Sequence, residues 1–338
     1  MQTLPTNLFT YATSELSFDA FVCWLAAWGA PECRTADSAL NELAGKFVSS
    51  LLDKHGFTLP AGVVTVDVKR QYHGIDVLLI INEKYAVIIE NKIRTKNHGD
   101  QLKRYSKRVS ENLPKLIRVP IYLKIYDQSN YTEIQKNDYA PYTRHDLLNV
   151  LRGGSGVSNQ IYVDFYDYLE AIENRVQSYL ILPADQWRAD QWTGFFQRLQ
   201  AELEEGSWGY VANPSGGFYG FWWSFLKTPD LSAYLQIQHK GAIAKICIKI
   251  NNKHPNTDSA VRNACFRFFR KKFADANLSF SKPARFGKGG TMTVLESDTD
   301  FRVFEQERLD FKQTLDQIKR VEAVFQTITC QDLEQIVA

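Results

Sequence analysis

Several marks of specialised protein classes are scarce or missing in this sequence. Cysteine is sparse: Cys23, Cys33, Cys247, Cys265 and Cys330 are odd in number and scattered, and no CxxC pair occurs. That argues against a disulfide framework or a zinc ribbon and fits a reducing cytoplasm. The 19 glycines and 11 prolines are too few for a fibrous or low-complexity chain. No charge of one sign dominates. Forty Lys+Arg against 38 Asp+Glu leave a net charge of +2, which excludes a histone-like or polyanionic protein but leaves room for local basic faces. Long apolar runs are also missing. The stretch from Phe18 to Ala30 is short, starts late and carries Trp24 and Trp28, so it reads as a packed helix and not as a signal peptide or membrane span. No P-loop, nucleophile elbow, HExxH or dinucleotide fingerprint occurs.

What remains is an ordinary globular composition, 44% hydrophobic and 23% charged in 338 residues. That length suggests two domains, expected at 1–180 and 181–338. Helical spacing of Leu16, Phe18, Phe21, Val22, Leu25 and Trp28 predicts a first helix, with Ser14 as N-cap and Gly29-Ala30-Pro31 as the stop. A second helix is expected from Asp37 to His55. Three strands follow, Val63–Gln71, Ile75–Ile81 and Tyr85–Glu90, the last two joined by a turn at 82–84. Then come a basic helix over 100–112 and a strand over 117–126, with Pro120 at an edge or bulge. Helices over 142–150 and 160–176 close this half. The second half reads as a helix over 185–203, four antiparallel strands between 208 and 249, a helix over 258–276, a short strand at 292–295 and a helix over 310–327. The expected class is α/β, or α+β overall. It has a mixed central sheet flanked by helices, followed by an α+β domain with an antiparallel sheet.

The chemistry concentrates between Gly74 and Lys92. If 75–81 and 85–91 form a hairpin, Asp76 falls opposite, or one residue from opposite, Glu90. Two facing carboxylates repel, and a bound hard cation resolves the repulsion. The two carboxylates plus the backbone carbonyl of Asn91 suit Mg²⁺, with Mn²⁺ as a substitute. Lys92 lies two residues beyond Glu90 and so shares its face. An ammonium there can orient or help deprotonate a water and neutralise developing phosphate charge. The plain alternative is a salt-bridged sheet end, and for a bare E-x-K in a strand that alternative is the stronger.

Taken together, Asp76, Glu90-Asn91-Lys92 and the element order around them resemble the PD-(D/E)XK nuclease superfamily, with its restriction-endonuclease-like core. Ile75 stands where the name has proline. Gln101 and Tyr105 match the Q-x3-Y motif of RecB-like members, and 13–25 is similar to the N-terminal helix of the bacterial subfamily called PDDEXK_4. The resemblance covers roughly residues 10–170. It implies a Mg²⁺-dependent nuclease acting on nucleic acid, DNA favoured, in bacterial or phage defence or DNA processing. Asp76 and Glu90 would hold the metal, and Lys92 would position or activate the water. Glu15, with Glu42 in reserve, would support the metal from a helix, and Gln101 and Tyr105 would assist. The alternatives are a non-catalytic binding protein that keeps the fold and a nuclease subunit active only in a complex. A homodimer or larger assembly fits either, and no membrane partner is expected.

Lys96, Lys103, Arg104, Lys107 and Arg108 crowd the same region and read either as a solvated face or as a phosphate-tracking surface. His73 and His98 flank the site without an assigned role. In the second half, Arg262, Arg267, Arg270, Lys271 and Lys272 alternate with Phe266, Phe268, Phe269 and Phe273. The rings read as core, and the cations as a solvated or backbone-binding face. Arg285 to Gly290 reads as a flexible basic loop. Trp222 and Trp223 are adjacent in a strand, so one is expected in the core and the other on the opposite face.

Overall fold

The computed structural model describes residues 6–95, 99–213, 216–254, 258–286 and 290–337. Two compact units divide the chain, Met1–Glu173 and Asn174–Ala338.

In the first unit, helix α1 (Glu15–Ala27) begins at Ser14, whose side chain accepts from the Ser17 N–H, and α2 (Ser38–Asp53) begins at Asp37, which caps Leu40 in the same way. Strands β1 (Val66–Tyr72), β2 (Ile75–Ile81) and β3 (Tyr85–Lys92) follow. Then come α3 (Gln101–Asn112), β4 (Ile117–Lys124), the single turn α4 (Thr132–Gln135), β5 (Ala140–Thr143), α5 (Arg144–Leu151) and α6 (Gln160–Gln177). The five strands form one sheet in the order β1-β2-β3-β4-β5, antiparallel up to β3 and parallel from β3 to β5. Helices α1 and α2 pack on one face and α3 on the other. Strands β2 and β3 are therefore covered on both sides, which is why they read as nearly continuous apolar runs. This mixed sheet with flanking helices is the expected restriction-endonuclease-like core.

Four local differences have physical causes. Strand β1 starts at Val66, and Val64 is exposed, so the alternation from residue 63 did not mark pairing. Strand β3 runs two residues beyond Glu90, because its parallel ladder with β4 continues through Lys92↔Lys124. Pro120 is neither at a sheet edge nor in a bulge. It sits in an inner strand opposite Ile88, at the step before β5 begins to pair at Ile121. Strand β5 occupies the start of the expected 142–150 helix. It is four residues long and contains Pro141, too short and too broken for a period to show.

The second unit holds α7 (Ala189–Leu203), β6 (Ser207–Val211), β7 (Phe218–Lys227), β8 (Leu231–Lys240), β9 (Ile243–Asn252), α8 (Asp258–Asp275), β10 (Phe280–Ser281) and β11 (Thr291–Ser297). A small hairpin, β12 (Val303–Glu305) and β13 (Arg308–Asp310), precedes α9 (Phe311–Gln326) and α10 (Cys330–Val337). Strands β6 to β11 make an antiparallel sheet in the order β10-β11-β9-β8-β7-β6. One face is buried under α7, α8 and α9. Phe195, Phe196, Phe269, Phe273, Ile318 and Phe325 share a core with Leu235, Ile237, Ile246 and Ile248. Phe269 and Phe273 are fully buried while Phe266 and Phe268 are partly so, which supports the core reading of that helix. Trp223 joins the core and Trp222 faces the other way. Gly287, Lys288 and Gly289 of the expected basic loop lie outside the described residues.

Candidate active site

The last β2–β3 pair before the sheet end is Val77↔Ile89, so the next step sets Asp76 against Glu90. Both side chains lie on the α3 face with Leu78, Ala86 and Ile88, in register with a core that includes Leu102, Tyr105 and Val109. Burial is deep: Glu90 has 0% exposure. Loss of water, and then the neighbouring Asp76 charge, push the Glu90 carboxyl up to about 7 against the pull of Lys92. Its Oε2 is buried with no hydrogen-bond partner among the described residues. An orphaned carboxylate oxygen beside a second carboxylate is an arrangement that a cation completes. Asp76 is half-buried and accepts from the Asn91 backbone N–H at 3.1 Å, which fixes the end of β3 against the start of β2.

Lys92 projects from the same face, 8% exposed, with Nζ 2.6 Å from Glu90 Oε1 and 3.5 Å from Glu15 Oε2. Burial disfavours its charge, but the Glu90 contact and the surrounding carboxylates outweigh that and hold its pKa above the ordinary lysine value. Lys92 therefore carries its proton. From α3, Gln101 Nε2 donates to Glu90 Oε1 at 2.7 Å and to the Tyr105 hydroxyl at 2.9 Å. The spacing i, i+4 makes this possible by putting both side chains on one helix face. Burial raises the Tyr105 pKa, so that hydroxyl also keeps its proton.

Glu15, in the first turn of α1, is bound to Lys92, to the Ile93 backbone N–H at 3.3 Å and to the Thr95 hydroxyl at 2.7 Å. Its carboxylate thus braces the segment after β3. Sequence reasoning passed over Asp19, one turn further along α1. That carboxylate is 1% exposed and takes a 3.1 Å hydrogen bond from Asn91 Nδ2. Burial and then the Asp76 charge raise its pKa to about 6. The signal was available: Asp19 sits on the stripe of Phe18, Val22 and Ala26, where an acid is out of place. Asn91 Nδ2 also donates to the Glu15 carbonyl at 3.3 Å, which ties α1 to the strand that carries Glu90 and Lys92. Glu42 lies away from this cluster, exposed and paired with Lys46 at 2.7 Å.

The basic residues of α3 divide. Lys103 and Lys107 are exposed and loosely paired within the helix, with Asp100 at 3.9 Å and Glu111 at 3.7 Å, and Arg104 is exposed. Arg108 is half-buried and donates to the His73 carbonyl, so it buttresses the β1–β2 turn. That turn needs Gly74 at φ +85°, where a side chain would be strained and would meet Arg108 and Tyr105. Lys96 and His98 lie outside the described residues. Lys124, which the sequence reading did not single out, is buried at the end of β4. It donates to the carbonyls of Ile93 and Thr95, the segment that Glu15 also holds.

Among the described residues, no group of three or more His, Cys, Asp or Glu could hold a metal ion alone. Asp76 and Glu90 nonetheless fit a hard divalent cation that keeps several waters. A family model described as the PD-(D/E)XK nuclease superfamily matches residues 38–186. No curated protein and no solved structure matches the chain. The matched segment contains Asp76, Glu90, Lys92, Gln101 and Tyr105, and begins after the helix that carries Glu15 and Asp19. The superfamily whose model matches residues 38–186 is thus the one that the motifs resemble. No helix among the described residues is long and apolar enough to cross a membrane.

Proposed function

We propose that the first unit is a Mg²⁺-dependent nuclease, with Mn²⁺ able to substitute, that hydrolyses phosphodiester bonds, with DNA as the favoured substrate. The observation that carries this reading is the buried, half-orphaned Glu90 carboxylate between Asp76 and Lys92. A structural salt bridge alone would leave neither an unpartnered carboxylate oxygen nor a second carboxylate beside it. Asp76 and Glu90 would hold the cation, with the Asn91 backbone carbonyl as a further ligand. The bound cation would supply a Lewis acid for the phosphoryl oxygen and an acidified water.

The chain's own groups have separable tasks. Lys92, protonated and fixed by Glu90 and Glu15, presents an N–H to the attacking water or to phosphate oxygen and offsets developing negative charge. It is a donor at neutral pH, not a base. Gln101 holds one Glu90 oxygen in place and leaves the other free, and Tyr105 holds Gln101. Asp19 and Asn91 lock α1 onto the strand end, and Glu15, which holds Lys92, would support the metal from that helix. Lys103, Arg104 and Lys107 would track phosphates along α3. Cleavage assays with Mg²⁺, Mn²⁺ or EDTA test the proposal. A purified chain that binds nucleic acid but never cuts it would favour the fold-retaining binding protein.

A further inference from the structure

The antiparallel sheet of the second unit is covered by that unit's helices on one face only. Its other face is not the polar checkerboard of a solvated sheet. The register brings Trp222 of β7 opposite Gln236 of β8, and Tyr234 opposite Lys249 of β9. Between Trp223 and Leu226 the β7–β8 register slips, with Ser224 at φ +49°. The Ser224 hydroxyl lies within hydrogen-bond distance of the carboxyl oxygens of Glu205 at 3.1 Å and Glu322 at 3.0 Å, which pins this bulge. A bulge re-aims side chains. Here it puts Phe225, 49% exposed, in a stack on Tyr234, with ring centroids 5.0 Å apart and planes at 20°.

Trp222, Phe225, Lys227, Tyr234, Gln236 and Asn251 line a groove of about 460 Å³ on this face. Lys227 is the charged residue of that lining, and Lys249 lies on the same face opposite Tyr234. Lys245 is paired with Glu296 at 2.7 Å, whereas Lys249 has the Thr293 hydroxyl at 2.7 Å and Lys227 lies 5.3 Å from the Phe225 ring centroid. Neither Lys249 nor Lys227 forms a salt bridge among the described residues. Burial lowers the Lys249 pKa, so an anion at this point would be favoured. Beside Trp222, Gly209 pairs with Gly220 across the strands, and a side chain at Gly209 would meet the Trp222 ring at 3.8 Å.

We propose that this sheet face binds single-stranded DNA, with bases stacked on Trp222 and Tyr234, phosphates near Lys227 and Lys249, and base edges read by Asn251. Aromatic rings interleaved with cations and amides on an open sheet suit unpaired bases. A duplex keeps its base faces stacked inside and offers this surface only phosphates. A protein partner would leave Lys227 without counter-charge unless it were acidic. The inference deepens the nuclease reading by giving the substrate a single-stranded portion.

The test is fluorescence anisotropy of the full chain in EDTA, where binding is read without cutting. The probes are labelled oligo(dT), the matching RNA and a duplex. Oligo(dT) is expected to bind tightest. Trp222→Ala and Tyr234→Ala are each expected to weaken it roughly tenfold or more, and Lys227→Gln to flatten the salt slope by ~0.7. Arg270→Gln, on the helix-covered side, should change little. Ultraviolet cross-linking of oligo(dT) to the unmodified chain, with adducts mapped by mass spectrometry, guards against a misfolded variant. Adducts should fall within 218–252. Equal affinity in the ring variants, adducts confined to other segments, or tighter binding of duplex or RNA would overturn the proposal. These results are independent of catalysis: binding here without cleavage would sink the nuclease reading alone, and cleavage with unchanged binding in the ring variants would sink this one alone.

Discussion

The Lys92 ammonium lies 2.6 Å from a Glu90 carboxylate that has no exposure to water, and that Glu90 faces Asp76 across the sheet. One cation between several acids leaves negative charge uncompensated around a buried carboxylate. Most of the protein's testable behaviour follows from that imbalance.

Replacing Asp76 with Asn should separate stability from activity. Asp76 raises the pKa of both Glu90 and Asp19, so removing its charge relieves both. Asp76→Asn keeps the oxygen that accepts from Asn91. In EDTA its melting temperature should equal or exceed wild type by a few degrees, while cleavage falls by at least ~100-fold. A destabilised Asp76→Asn variant with full cleavage would contradict both halves.

The metal-free protein should lose stability as pH rises from about 4 toward neutrality. The folded Glu90 carboxyl sits at about 7 against an ordinary 4.5, and Asp19 at about 6 against 3.8. Between those values the folded state holds protons that the unfolded chain has released. Stability from these groups is therefore present at low pH and lost toward the folded values. Lys92 keeps its proton across this window and adds no slope. Thermal melts in EDTA at about pH 5 to 8 should show wild type falling relative to Glu90→Gln. A difference independent of pH would mean that Glu90 is not held in the raised state.

Gln101 should matter through Glu90. Gln101→Ala leaves Glu90 Oε1 held by Lys92 without the Gln101 amide and releases Tyr105. Cleavage should drop roughly 10- to 100-fold, and the metal concentration for half-maximal rate should rise. Gln101→Glu should be worse, because it adds a carboxylate to the same pocket. Unchanged metal dependence in both variants would make Gln101 part of an ordinary helix surface.

Mg²⁺ and Mn²⁺ should each raise the melting temperature above the EDTA value, more at pH 8 than at pH 6, because bound metal must displace the Glu90 proton. Ca²⁺ should support binding with little cutting, since its looser geometry activates water less. Metal-independent melting at every pH would count against Asp76 and Glu90 as ligands.

The geometry around Asp76 and Glu90 was more legible in the sequence than the short strands of the fold. The Asp76–Glu90 pairing and the shared face of Lys92 follow from the two-residue period of a strand, and the structure places them as that period requires. Gln101 and Tyr105 were legible as an i, i+4 pair. Asp19 and Lys124 were harder to see, because each is meaningful only through partners distant in sequence, Asn91 in one case and the carbonyls of residues 93 and 95 in the other. Strands β5, β10, β12 and β13 have four residues or fewer and no readable period, so tertiary pairing alone defines them. Arg108 looked like one more cation of a basic helix, and only the turn at Gly74 reveals its structural task.

The most direct measurement incubates the purified chain with labelled single-stranded DNA, duplex DNA and RNA, in Mg²⁺, Mn²⁺ or EDTA, beside Lys92→Ala and Glu90→Ala. The account predicts cleavage of DNA with Mg²⁺ or Mn²⁺, none in EDTA, and a loss of ~10²–10⁴-fold or more in each variant. Cleavage that survives exhaustive EDTA treatment, or full activity in the Lys92→Ala, Glu90→Ala double variant, would contradict it.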